Sequence, residues 1–158
     1  MNVFFQRKHY YETHTAIEDI RSRLKELRKT SWHDIAVNLT GKVEEDNSFK
    51  LENKSGFVFR FGGIPQNTVL IEGNLIEDNT NTNIHITARC NYFLVFLFYL
   101  SAAITMYDLY TFLSSNFATD LIRAGILFFF LLFFIFFIRQ SLNSITQRFE
   151  RYLQVGKR

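Results

Sequence analysis

Between Ala124 and Ile138 the chain reads AGILFFFLLFFIFFI, fifteen residues without a charged or hydrogen-bonding side chain. A helix that is apolar on every side has no face to offer water and must lie inside protein or lipid. A second stretch, Tyr92 to Leu113, carries one charge, Asp108, and its twenty-two residues reach about 33 Å as a helix, enough for a hydrocarbon core of about 30 Å. Extended back to Leu121, the first run reaches the minimum spanning length. Thirteen consecutive Ile, Leu and Phe residues, each worth about 0.3 to 0.6 kcal/mol on insertion, outweigh one arginine near the end. In a chain of 158 residues too little polar sequence remains to wrap two such helices in a water-soluble core. The sequence therefore predicts a transmembrane hairpin over residues 91–139, with spans at about 92–113 and 121–138.

Composition agrees with this division. Mean hydropathy is close to neutral, yet charged residues fill the first ninety positions and Phe, Leu and Ile crowd the stretch from Tyr92 to Ile138. The net charge of +3 suits a protein facing anionic lipid and is too small to argue for nucleic acid. Met1 to Tyr11 has neither an apolar h-region nor a small-residue cleavage site, so export as a cleaved precursor is not expected. Cys90, the only cysteine, excludes an internal disulfide and fits a reducing compartment.

Orientation follows the basic residues beside the spans. Arg139, Arg148, Arg151, Lys157 and Arg158 follow the second span, and Arg60 and Arg89 precede the first, whereas the connecting loop 114–120 holds no Lys or Arg and one acid. Both termini are expected in the cytoplasm of an inner (plasma) membrane, with Arg89, Arg139, Arg148 and Arg151 as inner-leaflet anchors. Asp108, counted from Tyr92, and Arg123, counted back from Arg139, each lie about 24 Å deep. Antiparallel helices bring them to one level, so an intramembrane ion pair is expected, with separate snorkelling to the outer headgroups as the competing arrangement.

Residues 1–90 read as a cytoplasmic α+β domain. Asn2 to Glu12 alternates as a strand. Thr15 and Glu18 match a capping box, and Ile17, Ile20, Leu24 and Leu27 recur at helical spacing to about Lys29. From Ser31 the period becomes two. Strands are expected around Ile35–Val43, Phe49–Leu51, Phe57–Phe61, Val69–Leu75 and Ile84–Ala88, with turns at Glu44–Asn47, Lys54–Gly56 and Asp78–Asn83 and a loop at Gly62–Asn67. This is an antiparallel meander with one apolar face to cover. The tail 140–158 carries Leu142, Ile145, Phe149 and Leu153 as an amphipathic stripe, expected to pack on the sheet rather than along the headgroups, with Gly156 as its stop.

A strand, a helix, an antiparallel meander and a late helix against the sheet resemble a truncated helix-grip (START-like) arrangement. The cadence of Leu39-Thr-Gly-Lys-Val43, Phe49-Lys-Leu51, Phe61-Gly-Gly63, Ile71-Glu-Gly-Asn-Leu75 and Thr82-Asn-Ile84-His-Ile86 is similar to that of small, uncharacterised two-span bacterial membrane proteins with a cytoplasmic β-meander. The helix-grip resemblance implies a hydrophobic ligand cavity between sheet and helix. Neither resemblance brings catalytic residues.

The chain holds no recognisable catalytic, cofactor or metal motif. His9 and His14 do not share a helical face with Glu12 and Glu18, and His33-Asp34 beside Trp32 would point to opposite faces of a strand. Gly62-Gly63 lacks a following Gly-Lys-Ser/Thr and makes no phosphate cradle. Same-face Phe57, Phe59 and Phe61 fit a core better than a base-stacking surface. The expected function is a non-enzymatic membrane-anchored interaction module or accessory subunit of a membrane complex. Its partners would be the lipid bilayer and a protein or second copy, not nucleic acid; the alternative is binding of a lipid or hydrophobic ligand.

Overall fold

A computed structural model describes residues 5–27, 38–53, 58–61, 64–78, 81–115 and 118–155, with backbone only at 58–61, 64–66 and 115. The expectations placed on Asn2–Phe4, Ser31–Val37 (including Trp32, His33 and Asp34), Lys54–Phe57, Gly62-Gly63 and Gly156–Arg158 lie outside the described residues.

The chain is α+β. Its elements run β1 (Gln6–Thr13), α1 (Ile17–Glu26), β2 (Leu39–Val43), β3 (Ser48–Asn53), β4 (Val58–Phe61), β5 (Ile64–Asn67), β6 (Val69–Asp78), β7 (Asn81–Cys90), α2 (Tyr92–Ser115) and α3 (Ala118–Leu153). Five strands form one antiparallel sheet in the order β1-β7-β6-β3-β2. Alternation gives it two unlike faces. Tyr11, Ile84, Ile86, Ala88, Ile71, Leu75, Phe49, Leu51 and Leu39 are buried on one face. Tyr10, His85, Glu72, Arg89, Lys50 and Glu52 alternate with them on the other.

The buried face is covered by α1, through Ile20, Leu24 and Leu27, and by the last third of α3, through Leu142, Ile145, Phe149 and Leu153. Phe149, fully buried, stacks on Phe49 of β3 with centroids 5.8 Å apart and rings 12° from parallel. Room for this stack comes from Gly73, directly opposite Phe49 in the register. A Cβ at Gly73 would sit 2.5 Å from Phe49 Cζ and 2.7 Å from the His85 carbonyl oxygen, so only glycine lets the ring lie flat against the strand. Polar contacts then fix α3 along β1. The Tyr11 hydroxyl donates to Glu150 Oε1 at 2.8 Å, Arg7 donates to Asn143 Oδ1, and at the far end the Tyr152 hydroxyl donates to the Arg23 carbonyl of α1 at 2.7 Å. Burial, together with the Glu150 carboxylate, raises the Tyr11 hydroxyl well above its ordinary pKa and keeps it a donor.

Several local expectations are corrected. The capping box does not form: the carbonyl of Ala16 accepts the first helical N–H groups from Asp19 and Ile20, so Ala16 is the N-cap. Thr15 is held instead by the sheet end, its hydroxyl against Thr13 Oγ1 at 3.1 Å and its carbonyl accepting from Thr82 Oγ1 at 2.8 Å. The strand around Phe57–Phe61 does not join the meander. β4 pairs with β5, in the segment expected as a loop, as a separate two-stranded ribbon, and β3 pairs directly with β6. The antiparallel register runs from Val58↔Asn67 to Phe61↔Ile64, and Pro65, which lacks an N–H, suits a ribbon better than a central strand. The expected turn at Asp78–Asn83 gives way at both ends to strand: Asp78 pairs with Asn81, and β6 and β7 each run ten residues.

The helix stop is corrected as well. Gln154 takes a left-handed φ of 57° and the Val155 N–H donates to the Glu150 carbonyl at 3.1 Å, a six-to-one closure of the last turn that precedes Gly156. α3 itself runs unbroken through Arg139 and Gln140, where the sequence divides into apolar span and amphipathic tail. Its thirty-six residues extend about 54 Å.

Gly73→Val should overpack the Phe49–Phe149 stack and cost about 1 to 3 kcal/mol. Urea unfolding in mild detergent, followed by near-ultraviolet circular dichroism of the sheet, measures this; an unchanged midpoint would mean the stack is not formed.

Candidate functional site

Two groups of polar side chains stand out against the apolar body of the chain: one inside the α2–α3 pair, one where the sheet meets α2.

α2 and α3 pack antiparallel. Phe98 stacks on Phe134 at 5.9 Å, and ten residues further along α2 Asp108 meets Arg123, eleven residues back along α3. Asp108 is fully buried. Arg123 Nε donates to Asp108 Oδ2 at 2.7 Å and Nη2 donates to Oδ1, a two-pronged contact, while Asp120, one turn earlier, lies 3.6 Å from the same Nη2. The fork geometry of a guanidinium matches a carboxylate edge on, which fixes the register of the two helices as well as neutralising the acid. Both helices are long and apolar enough to cross a membrane, and only 17% and 11% of their most apolar windows are buried. A soluble protein's core helix would show the opposite. Phe129, Phe133 and Phe136 on α3 and Phe96, Tyr107 and Leu113 on α2 all face outward.

The second group lies on the polar face of the sheet. Asn91 starts α2, its Oδ1 accepting from the Phe93 N–H at 2.9 Å and its carbonyl from the Val95 N–H at 3.2 Å. Just before it, Arg89 donates from Nε and Nη2 to the two oxygens of Glu72 at 2.8 and 2.7 Å, and its guanidinium lies 4.3 Å over the Tyr92 ring. Lys50 stands opposite Glu72 in the register, and its ammonium is 3.6 Å from Glu52, which accepts from Asn67 Nδ2 at 2.6 Å. The Arg89 hydrogen bonds hold the Glu72 carboxyl below the usual range, against the opposing effect of burial. Beside them the buried Cys90 thiol is pushed up to about 12 by desolvation.

Of the four arginines assigned to the inner boundary, Arg89 and Arg139 stand at the sheet-side ends of the apolar helices. Arg148 and Arg151 lie nine and twelve residues beyond Arg139, about 14 and 18 Å further along α3, on the stretch that packs beside the sheet. The described histidines are dispersed. His9 stacks on Tyr11, His85 meets Tyr10 edge to face, and His14 Nδ1 lies 2.7 Å from Asn81 Oδ1. Among the described residues no three His, Cys, Asp or Glu side chains gather as a metal site would need.

Sequence inspection missed the Arg89–Glu72 pair and the Lys50–Glu52 group, which come from three different strands. Alternation carried beyond the strand expected at Ile84–Ala88 could have placed Arg89 on the face opposite Ala88 and Cys90, but not found its partner. These elements define an α+β protein with a five-strand antiparallel sheet, one short helix and two long apolar helices. Comparison with protein-family models, curated proteins and solved structures gives no match.

Exchanging the charges tests the helix pair. Asp108→Arg should lower the thermal midpoint in detergent by several degrees, and Asp108→Arg with Arg123→Asp should recover most of the loss. A double variant no better than the single one would show that the two side chains do not act together. The Glu72 carboxyl, lower in the folded than in the unfolded chain, contributes stability that is present above the unfolded carboxylate range and is lost as pH falls through the folded value. Wild-type protein should therefore lose more stability than Arg89→Gln between neutral pH and the acid side of that range, read from thermal melts at matched ionic strength.

Proposed function

We propose that the chain is a non-enzymatic, membrane-anchored interaction module, with α2 and α3 spanning the bilayer as a hairpin and the sheet held on the cytoplasmic side. The observation that carries this reading is the outward-facing aliphatic and aromatic surface of two helices of spanning length, one of which continues without a break into the core of the sheet. Water cannot solvate that surface, and the described chain covers little of it. Asp108 and Arg123 then lie about 24 Å from the start of α2, close to the far boundary of the hydrocarbon, where a paired acid and base are tolerated. Arg89 with Tyr92, and Arg139, mark the near boundary, in keeping with basic and aromatic residues at a cytoplasmic interface.

The sheet leaves described residues of its polar face exposed, Tyr10, His85 and Lys50 among them, and α3 holds it at a fixed distance from the bilayer. A partner protein or a second copy is the ligand that such a display suits. Binding of a hydrophobic ligand between sheet and helix is less well supported, because Phe49, Phe149, Leu142 and Ile145 are packed together where the helix-grip resemblance implies a cavity.

The full chain should float with liposomes in a density gradient and remain with them after carbonate washing at high pH. Photo-crosslinking groups at His85 and Thr87, on the open face, should capture a protein or a second copy in native membranes. Recovery in the soluble fraction would refute the anchor; flotation with crosslinks to lipid alone would refute the interaction module.

A further inference from the structure

A pocket of about 310 Å³ opens on the polar face of the sheet, where β3, β6 and β7 meet the start of α2. Its walls carry Lys50, Glu52, Asn67, Arg89 and Tyr92, and its floor is Leu70. Leu70 departs from the alternation. It lies opposite Arg89 and Glu52 on the mainly polar face, yet it is only 6% exposed because its neighbours stand around it. Two cations and two carboxylates, counting Glu72 behind Arg89, leave the group without net charge. An anion alone would meet Glu52, and a cation alone would meet Lys50 and Arg89.

From this arrangement we propose that the pocket binds a phosphoethanolamine group, with the phosphate on Lys50 and Arg89, the ammonium on Glu52, and the adjoining ester carbons over Leu70 and Tyr92. Arg89 has the capacity. A guanidinium carries five N–H donors, of which Glu72 takes two, one from Nε and one from Nη2. Lys50 keeps ammonium protons beyond the one directed at Glu52, and its side chain is half exposed. Glu52 accepts from Asn67 on Oε2, and its Oε1, 3.6 Å from the Lys50 ammonium and so beyond hydrogen-bond distance, keeps acceptor sites. Tyr92, 72% exposed beneath the Arg89 guanidinium, supplies an amphipathic ring of the kind found at headgroup level. The position deepens the membrane reading and rests on it: with α2 in the bilayer, the pocket mouth lies at the cytoplasmic headgroups, within reach of a zwitterionic phospholipid, while the same chemistry admits free phosphoethanolamine.

The test uses the full chain reconstituted into vesicles of equal parts phosphatidylethanolamine and phosphatidylglycerol, then extracted in mild detergent for native mass spectrometry of retained lipid. Wild type should retain phosphatidylethanolamine about tenfold over phosphatidylglycerol, the scale of one charge-assisted hydrogen bond. Lys50→Gln should lose about that factor in retention, and Glu52→Gln should lose the preference for the ethanolamine lipid while still holding phosphatidylglycerol. Displacement of the lipid by free phosphoethanolamine would support the site and place its affinity in the headgroup; retention against it would support the site and make the membrane the source. Retained lipid matching the vesicle composition, both variants behaving as wild type, or displacement by inorganic phosphate as effective as by phosphoethanolamine would each overturn the proposal. Protein that never enters the vesicles would instead refute the anchor, so the two failures are distinct.

Discussion

One helix, α3, carries two unlike surfaces in a single unbroken run. From Ile126 to Ile138 its exposed side chains are Phe, Leu and Ile, and from Arg139 onward its exposed side is Arg, Gln and Asn while its other side is buried against the sheet. Nothing in the backbone marks the change. Because the helix is unbroken, the position and tilt of the apolar pair are transmitted to the sheet. The Phe49–Phe149 stack over Gly73, the Tyr11–Glu150 hydrogen bond and the Arg7–Asn143 contact set where along the sheet that transmission lands.

The remaining polar groups act within this frame. Asp108 and Arg123 fix α2 against α3 far from the sheet, where apolar side chains alone allow sliding. Arg89, Glu72, Lys50 and Glu52 form the polar face where β7 passes into α2, with Asn91 capping the helix. The charges thus sit at the two ends of the apolar pair and its middle is left to dispersion contacts. That distribution suits a hairpin in lipid, since each interior charge placed elsewhere would need a partner of its own.

Much of this was legible in the sequence, and the boundary of legibility is physical. Helical periodicity located α1 and the stripe Leu142, Ile145, Phe149 and Leu153; unbroken apolar runs located both long helices; period-two alternation located β1, β3, β6 and β7. These are local signals. Depth counting brought Asp108 and Arg123 to one level because an antiparallel helix pair has a single simple register. What could not be read was pairing across the sheet. The alternation of Phe57, Phe59 and Phe61 resembles that of a sheet strand, and only long-range competition sends β4 to β5 and β3 to β6. Thr15 carried the right residue for a cap and lost it to Thr13 and Thr82, tertiary partners absent from the local pattern. Gln154 closes α3 in the left-handed conformation one expects of glycine, two positions before the glycine itself.

The central claim is that α3 passes from lipid into the sheet as one continuous helix. Spin labels placed singly at each position from Phe129 to Gln147, the outward-facing Phe129, Phe133 and Phe136 among them, with the protein in lipid bilayers, measure this through relative accessibility to oxygen and to a water-soluble nickel chelate; the buried Cys90 would be replaced by Ser to remove background. The account predicts oxygen access without nickel access at the three Phe positions, a crossover between Phe136 and Asn143, and helical periodicity through the crossover. Nickel access at Phe129 or Phe133, or loss of periodicity at Gln140, would contradict it.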